Sequence, residues 1–272
     1  MKAIVPRFSD VIIQRLARFL RQHDWFAVVV EVLVVIVGLM LAFQLDRWWE
    51  QRGEHAQEAE YIARLIADIE TDVPNIEYAI ELAVLRRGMA DLLMQVVDDP
   101  DVALDRPVEF IASVRQSAFT YSPNLASHTF EDMQSTGNLR LLRNLEIRDA
   151  LYDYYNFAIN QNQFRPLQFM AEARHFELAA GVLDYAQALL EQDEWYVVTP
   201  TEFAQFPDME VEIDAVAAAV ERFRSRRELI AWIPEVRHLQ VEQIFVNQEL
   251  LRKADEVLGN LRAYAETLDR ST

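Results

Sequence analysis

Residues 25–45 form an unbroken run of 21 residues that are apolar except for Glu31 near its start and Gln44 near its end. As an α-helix such a run reaches about 31 Å, the thickness of a bilayer's hydrocarbon core. No other stretch of the chain does this. The run therefore divides the sequence into a short segment 1–24, an expected transmembrane helix 25–45, and an extracytoplasmic domain 46–272. The apolar core of a cleaved signal peptide is about 7–15 residues long and ends at a small-x-small site. The run here is longer, and Gln44-Leu45-Asp46 is a poor cleavage site, so an uncleaved signal anchor is expected.

Charge sets the expected orientation. Segment 1–24 carries Lys2, Arg7, Arg15, Arg18 and Arg21 against Asp10 and Asp24, a net of +3. Residues 46–272 hold 21 basic and 41 acidic residues, a net of −20. Basic flanks stay on the cytoplasmic side, whereas large domains translocate largely regardless of charge. This favours a cytoplasmic N-terminus and a periplasmic C-terminal domain, although Arg47, Arg52 and Arg64 lessen the contrast. Lys2 and Lys253 are the only lysines among 26 basic residues, a bias that points to a GC-rich bacterial genome and hence to a bacterial inner membrane. Before the span, Val11, Ile12, Leu16, Phe19 and Leu20 recur at helical spacing opposite Arg15, Arg18 and Arg21. This pattern fits a basic amphipathic helix in the lipid interface, or simply a positive-inside anchor.

The chain has no cysteine, which excludes thiol nucleophiles, CxxC redox centres, cysteine-based zinc sites and disulfides. A domain at −20 repels phosphates, so no nucleic-acid partner is expected. There is no phosphate-binding glycine loop, no HExxH, no EF-hand loop and no Gly-x-Ser-x-Gly elbow.

Six glycines in 272 residues and few alternating runs argue against sheet, and helical periodicity dominates. The expected fold is all-α, with one N-terminal transmembrane helix continuing into an antiparallel helical bundle. Tyr61, Ile62, Leu65, Ile66 and Ile69 extend the membrane helix, Pro74 is expected to end it, and Asp72 is the candidate N-cap of the next. That next helix carries Tyr78, Leu82, Leu85, Met89, Leu92 and Val96 at coiled-coil spacing, ending at Asp98-Asp99-Pro100-Asp101. Shorter helices are expected over 107–119 and 127–136, the second stopped by Gly137. One or two helices follow over 145–190. An irregular segment 193–207 carries Trp195, Tyr196, Phe203 and Phe206, which either pin a loop to the bundle or form a binding surface. Helices over 209–228 and 229–268 close the chain, the last expected to bend at Pro234 and carrying Leu250, Ala254, Val257, Leu261, Tyr264 and Leu268 at alternating spacings of 4 and 3.

Two regions resemble an uncharacterised family of bacterial single-span membrane proteins. The first is a membrane helix with Glu31, Gly38, Gln44, Asp46, Trp48, Glu50 and Arg52, similar to the family's Glu…Gly…Gln-x-Asn/Asp-x-Trp-x-Glu-x-Arg pattern. The second is Thr129-Phe-Glu-Asp-Met-Gln-Ser-Thr-Gly-Asn-Leu-Arg-Leu-Leu142, similar to its Leu-x-Ser-Ser-Gly-Asn-Leu region, followed by Tyr154-Tyr155. The chain departs at Arg47 and Trp49, where asparagine is expected, and at Met133, where leucine is expected. The resemblance implies a membrane location and a helical external domain, and brings no catalytic residue.

Three sets of residues stand out as candidate sites. Glu31, Val35, Gly38 and Ala42 follow spacings of 4, 3 and 4 and so share one helix face. Gly38 and Ala42 make a small-xxx-small pair that lets two helices approach closely. A carboxylate in a span needs a partner or water, so Glu31 either bonds across a helix–helix interface or meets water beside Trp25. Gln44, Asp46, Trp48 and Trp49 lie at the membrane exit, as an aromatic belt or a docking collar. Glu172 with His175, and Glu235 with His238, repeat the Glu-x-x-His spacing of di-iron bundles; with arginine inside both units, surface turns are the simpler reading, and no metal or cofactor is expected.

These features point to a non-enzymatic protein whose partners are the bilayer and other membrane subunits or a copy of itself. An extracytoplasmic ligand-sensing domain is the alternative. Such receptors usually add a second span and a cytoplasmic output module, for which 24 residues leave little room.

Overall fold

The computed structural model describes residues 25–183 and 211–270, with side chains from Val29 onward except at Asn162 and Asp269. The expectations for segments 1–24 and 193–207 lie outside the described residues. Those described form no strand. They make helices α1 (Trp25–Asp98), α2 (Asp101–Asp105), α3 (Pro107–Gln116) and α4 (His128–Thr136), then a 3-10 turn (Asn138–Leu141), α5 (Leu145–Asn162), α6 (Arg165–Ala179), α7 (Ile213–Ser225) and α8 (Arg227–Asp269). The all-α expectation holds, and the apolar helix continues without interruption past residue 45. The chain divides into two compact units, Met1–Glu58 and Ala59–Thr272.

In the first unit the large apolar side chains from Val29 to Leu45 are all exposed, Val35 at 57 % and Leu41 at 61 %. A helix window here has mean hydropathy 2.2, long and apolar enough to cross a membrane. That many exposed apolar residues in one run is far beyond the scattered surface hydrophobes of an ordinary domain.

The second unit is built on two antiparallel helices. Arg237 of α8 bonds Asp91 of α1 at 2.5 Å, and Arg262 bonds Glu70 at 2.7 Å, so the sequence numbers run in opposite directions. Each helix buries a line of residues at alternating spacings of 3 and 4. On α1 the line is Ile62, Leu65, Ile69, Asp72, Ile76 and Ala79, continuing through Ala83, Arg86, Ala90 and Leu93. On α8 it is Leu229, Ile233, Val236, Gln240, Gln243 and Asn247, then Leu250, Ala254, Val257 and Leu261. This is the heptad pattern of packed helices, with polar residues placed in its middle. The polar positions divide the interior. One apolar core joins Leu93, Phe110, Phe223, Val216 and Ile233; the other joins Ile69, Met133, Leu151, Tyr154 and Val257.

Pro74 does not end the helix, and Asp72 is not an N-cap. α1 runs through both. Proline deprives the carbonyl four residues back of its donor, at a cost of about 3 kcal/mol in a helix interior. Burial offsets this: Ile69 and Ile76, on either side of the proline, are fully enclosed, and each is worth about 1.5–3 kcal/mol. The turn is also laced by side chains. Thr71 Oγ1 donates to Ala67 O at 2.9 Å, and Asn75 Nδ2 donates to Thr71 O at 3.1 Å. α8 likewise continues through Pro234. Of the expected α1 seam, Leu82, Met89, Leu92 and Val96 are buried, whereas Tyr78 and Leu85 are half-exposed flanks of the central line.

Local signals terminate the shorter elements. Asp99, which precedes Pro100, leaves the helix and its carboxylate accepts from Asp101 N at 3.1 Å. Gly137 stops α4 in the left-handed region at φ 75°. Asn144 caps α5, accepting from Glu146 N at 2.9 Å and Ile147 N at 3.4 Å.

Candidate functional site

Within the apolar unit, Glu31, Val35, Gly38 and Ala42 are exposed on one face of α1. A Cβ placed on Gly38 would meet nothing within 4 Å, so no contact among the described residues uses the space it leaves. Beyond it, exposed Trp48 and Trp49 meet edge to face at 5.3 Å, and the Arg52 guanidinium sits 4.8 Å over the Trp48 ring. Gln44 and Asp46 are exposed beside them.

The other site lies at the polar middle of the bundle. Residues 117–127 link α3 to α4 as a strap without regular structure; Ser117 and Ala118 are buried, Asn124 is exposed and the rest are half-buried. Those of its backbone groups that are withdrawn from water need partners, at about 1–3 kcal/mol for each group left bare. Side chains from four helices supply them. Gln240 Nε2 of α8 donates to Ser117 O at 3.0 Å and Phe119 O at 2.9 Å. Glu172 of α6 accepts from Thr120 N at 2.7 Å and Thr120 Oγ1 at 2.5 Å. Asp72 of α1 accepts from Ala126 N at 2.7 Å, and Tyr155 of α5 donates to Ala126 O at 3.2 Å. Polar residues that interrupt the apolar lines, Asp72 and Gln240, are therefore backbone partners of the strap.

Electrostatics follow from this burial. Desolvation pushes the Asp72 carboxyl up, against the hydrogen bonds from Ala126 and Tyr154 that hold it down. Burial, with Asp72 adjacent, pushes both Tyr154 and Tyr155 upward. Burial also pulls Arg86 down to about 10, with Glu172 opposing the shift. Arg86 is only 4 % exposed, and its guanidinium lies 5.9 Å over the Phe119 ring of the strap.

Beside the strap's second half lies a cavity of about 450 Å³ between α4, α5, α6 and α8. Ser122, Asn124 and Ser127 come from the strap side, and Gln243 and Asn247 from α8. Phe130 and Tyr155, stacked with centroids 4.6 Å apart, form an aromatic wall. Asn247 Nδ2 donates to Gln243 O at 2.8 Å, leaving its side-chain oxygen open, and the Gln243 carboxamide has no partner among the described residues.

The two Glu-x-x-His units do not come together as a metal centre. His175 is buried, its Nε2 2.8 Å from Val114 O, so Nε2 carries the proton and donates; burial pulls its pKa down. Glu172 is engaged by the strap. Glu235 is exposed, and His238 lies on the surface 3.3 Å from Glu242. Among the described residues no three His, Asp or Glu side chains group to hold a metal.

Sequence reasoning placed a turn over 121–124 between the two short helices but missed the side chains that anchor the strap, and the cavity. The signal was the trio Gln240, Gln243 and Asn247, spaced 3 and 4 apart inside an apolar heptad line. No protein-family model, curated protein or solved structure matches the chain, so the resemblance carried by Glu31, Gly38 and the membrane-exit residues rests on those residues alone.

Proposed function

We propose that this chain is a non-enzymatic single-span protein of a bacterial inner membrane, with its N-terminus cytoplasmic and the helical domain 46–272 periplasmic. It acts through protein–protein contacts, as a scaffold or accessory subunit of a membrane complex or as a homo-oligomer. The observation that carries this reading is the face bearing Glu31, Val35, Gly38 and Ala42 on a helix whose apolar window is 0 % buried. A plain anchor needs only apolar length. In lipid, where burial of apolar surface drives little association, small residues and interhelical hydrogen bonds are what hold helices together, and this face supplies both.

The test is purification from membranes in mild detergent, followed by mass measurement of the protein particle. A mass equal to two or more copies, or co-purification of a discrete membrane subunit at fixed ratio, is expected. A lone monomer would contradict the proposal.

A further inference from the structure

We propose that the cavity beside the strap binds a small neutral polyhydroxylated molecule, of the sugar or polyol class. At about 450 Å³ it falls in the range of small-molecule sites. Its polar lining is dominated by carboxamides: Asn124, Gln134, Gln161, Gln168, Gln243 and Asn247 all border it. A carboxamide presents a donor and an acceptor side by side, the complement of a hydroxyl that is both at once. A ring bearing neighbouring hydroxyls can satisfy several such groups together, while Phe130, Ile159 and Leu250 offer apolar surface to its C–H face.

Gln243 gives this weight. It is only 7 % exposed, borders the cavity, and its side-chain amide is unpaired among the described residues; the Asn247 side-chain oxygen, on a residue 3 % exposed, is likewise open. Neither group is among the fully buried polar atoms that lack a partner, so both can be reached from the cavity and are free to meet a ligand. A ligand hydroxyl would satisfy either.

Charge argues for a neutral ligand. Only Arg165 and Glu131 are charged among the lining residues, and both are exposed at the rim. Glu131 already accepts from Ser127 Oγ at 2.5 Å. An anion would enter against the domain's net negative charge with a single arginine to receive it, and a cation would find one carboxylate already engaged.

The experiment is calorimetric titration of the full chain, in a detergent without a sugar headgroup, against D-glucose, sucrose and myo-inositol. L-glutamate, L-arginine and inorganic phosphate serve as charged probes. Saturable binding of at least one neutral probe is expected, weakened about tenfold in Gln243→Leu, the loss of one to two buried hydrogen bonds. Gln168→Ala, at a half-buried lining position, is expected to weaken binding several-fold and decides the matter if Gln243→Leu does not fold. Absence of saturable binding by all three neutral probes overturns the proposal. So does binding of a charged probe alone, or neutral binding unchanged in the folded variants.

Discussion

Tyr154 donates its phenolic proton to the Asp72 carboxylate across 2.8 Å, joining α5 to the middle of α1 over 82 residues of sequence. The other Asp72 oxygen takes the Ala126 N–H of the strap. One buried carboxylate thus ties together two helices and the irregular segment that borders the cavity.

Removing the phenol leaves that carboxylate one donor short. Tyr154→Phe is expected to lower unfolding free energy by about 1–3 kcal/mol, and Asp72→Ala by more, because it strands both the Tyr154 hydroxyl and the Ala126 amide. Urea unfolding of the detergent-solubilised chain measures both. Full stability in Tyr154→Phe would show that this contact does not help to hold the strap.

His175 makes stability sensitive to acid. Its folded-state pKa is depressed below the ordinary 6.5 by burial. The unfolded chain therefore takes up the proton first, and the contribution is complete above 6.5 and lost as pH falls through the depressed value. Asp72, pushed up from 3.8, has the opposite sign: its contribution is present below 3.8 and is lost as pH rises through the folded-state value. The comparison must therefore be made against a variant. His175→Gln is expected to lose less stability than the natural chain between about pH 8 and about pH 5. Parallel pH profiles for the two proteins would refute this.

Pro74 sits inside α1 on an exposed position. Pro74→Ala restores a helix hydrogen bond and removes a clash, so the variant is expected to gain up to about 3 kcal/mol, less the entropy that alanine returns to the unfolded chain. A destabilised variant would show that the turn at 70–75 depends on proline geometry.

Gly137 adopts φ 75°, and a Cβ added there would meet nothing within 4 Å. The strain on an L-residue at this position therefore comes from its own backbone and not from a neighbour. Gly137→Ala is expected to cost about 1–2 kcal/mol in the same unfolding assay. Unchanged stability would mean that the α4 terminus relaxes freely.

The fold was legible wherever periodicity and punctuation agreed. The helical class, the bounds of α4 and α7 within a few residues, the Gly137 stop and the buried line from Leu250 to Leu261 all follow from apolar spacing and local breakers. Reading failed at Pro74, where a local breaker was overridden by burial of Ile69 and Ile76 on either side. It failed again at Asp72, because a capping residue type cannot announce a partner such as Tyr154, 82 positions away. The cavity is assembled from residues of four helices and the strap, so no local pattern encodes it. Its trace in the sequence is the polar trio on α8. The apolar helix was fully legible, since its length and polarity are local properties of the chain.

Contact between one face of the span and another protein is directly testable, because the chain has no cysteine of its own. Single cysteines at Val35, Gly38 or Ala42, and at Leu33 or Met40 on the opposite face, can each carry a thiol-linked photoreactive group in native membranes. Illumination is predicted to capture a discrete partner, or a second copy of the chain, from Val35, Gly38 and Ala42 and not from Leu33 and Met40. No protein capture from any position, or equal capture from both faces, would contradict the proposed role of the span.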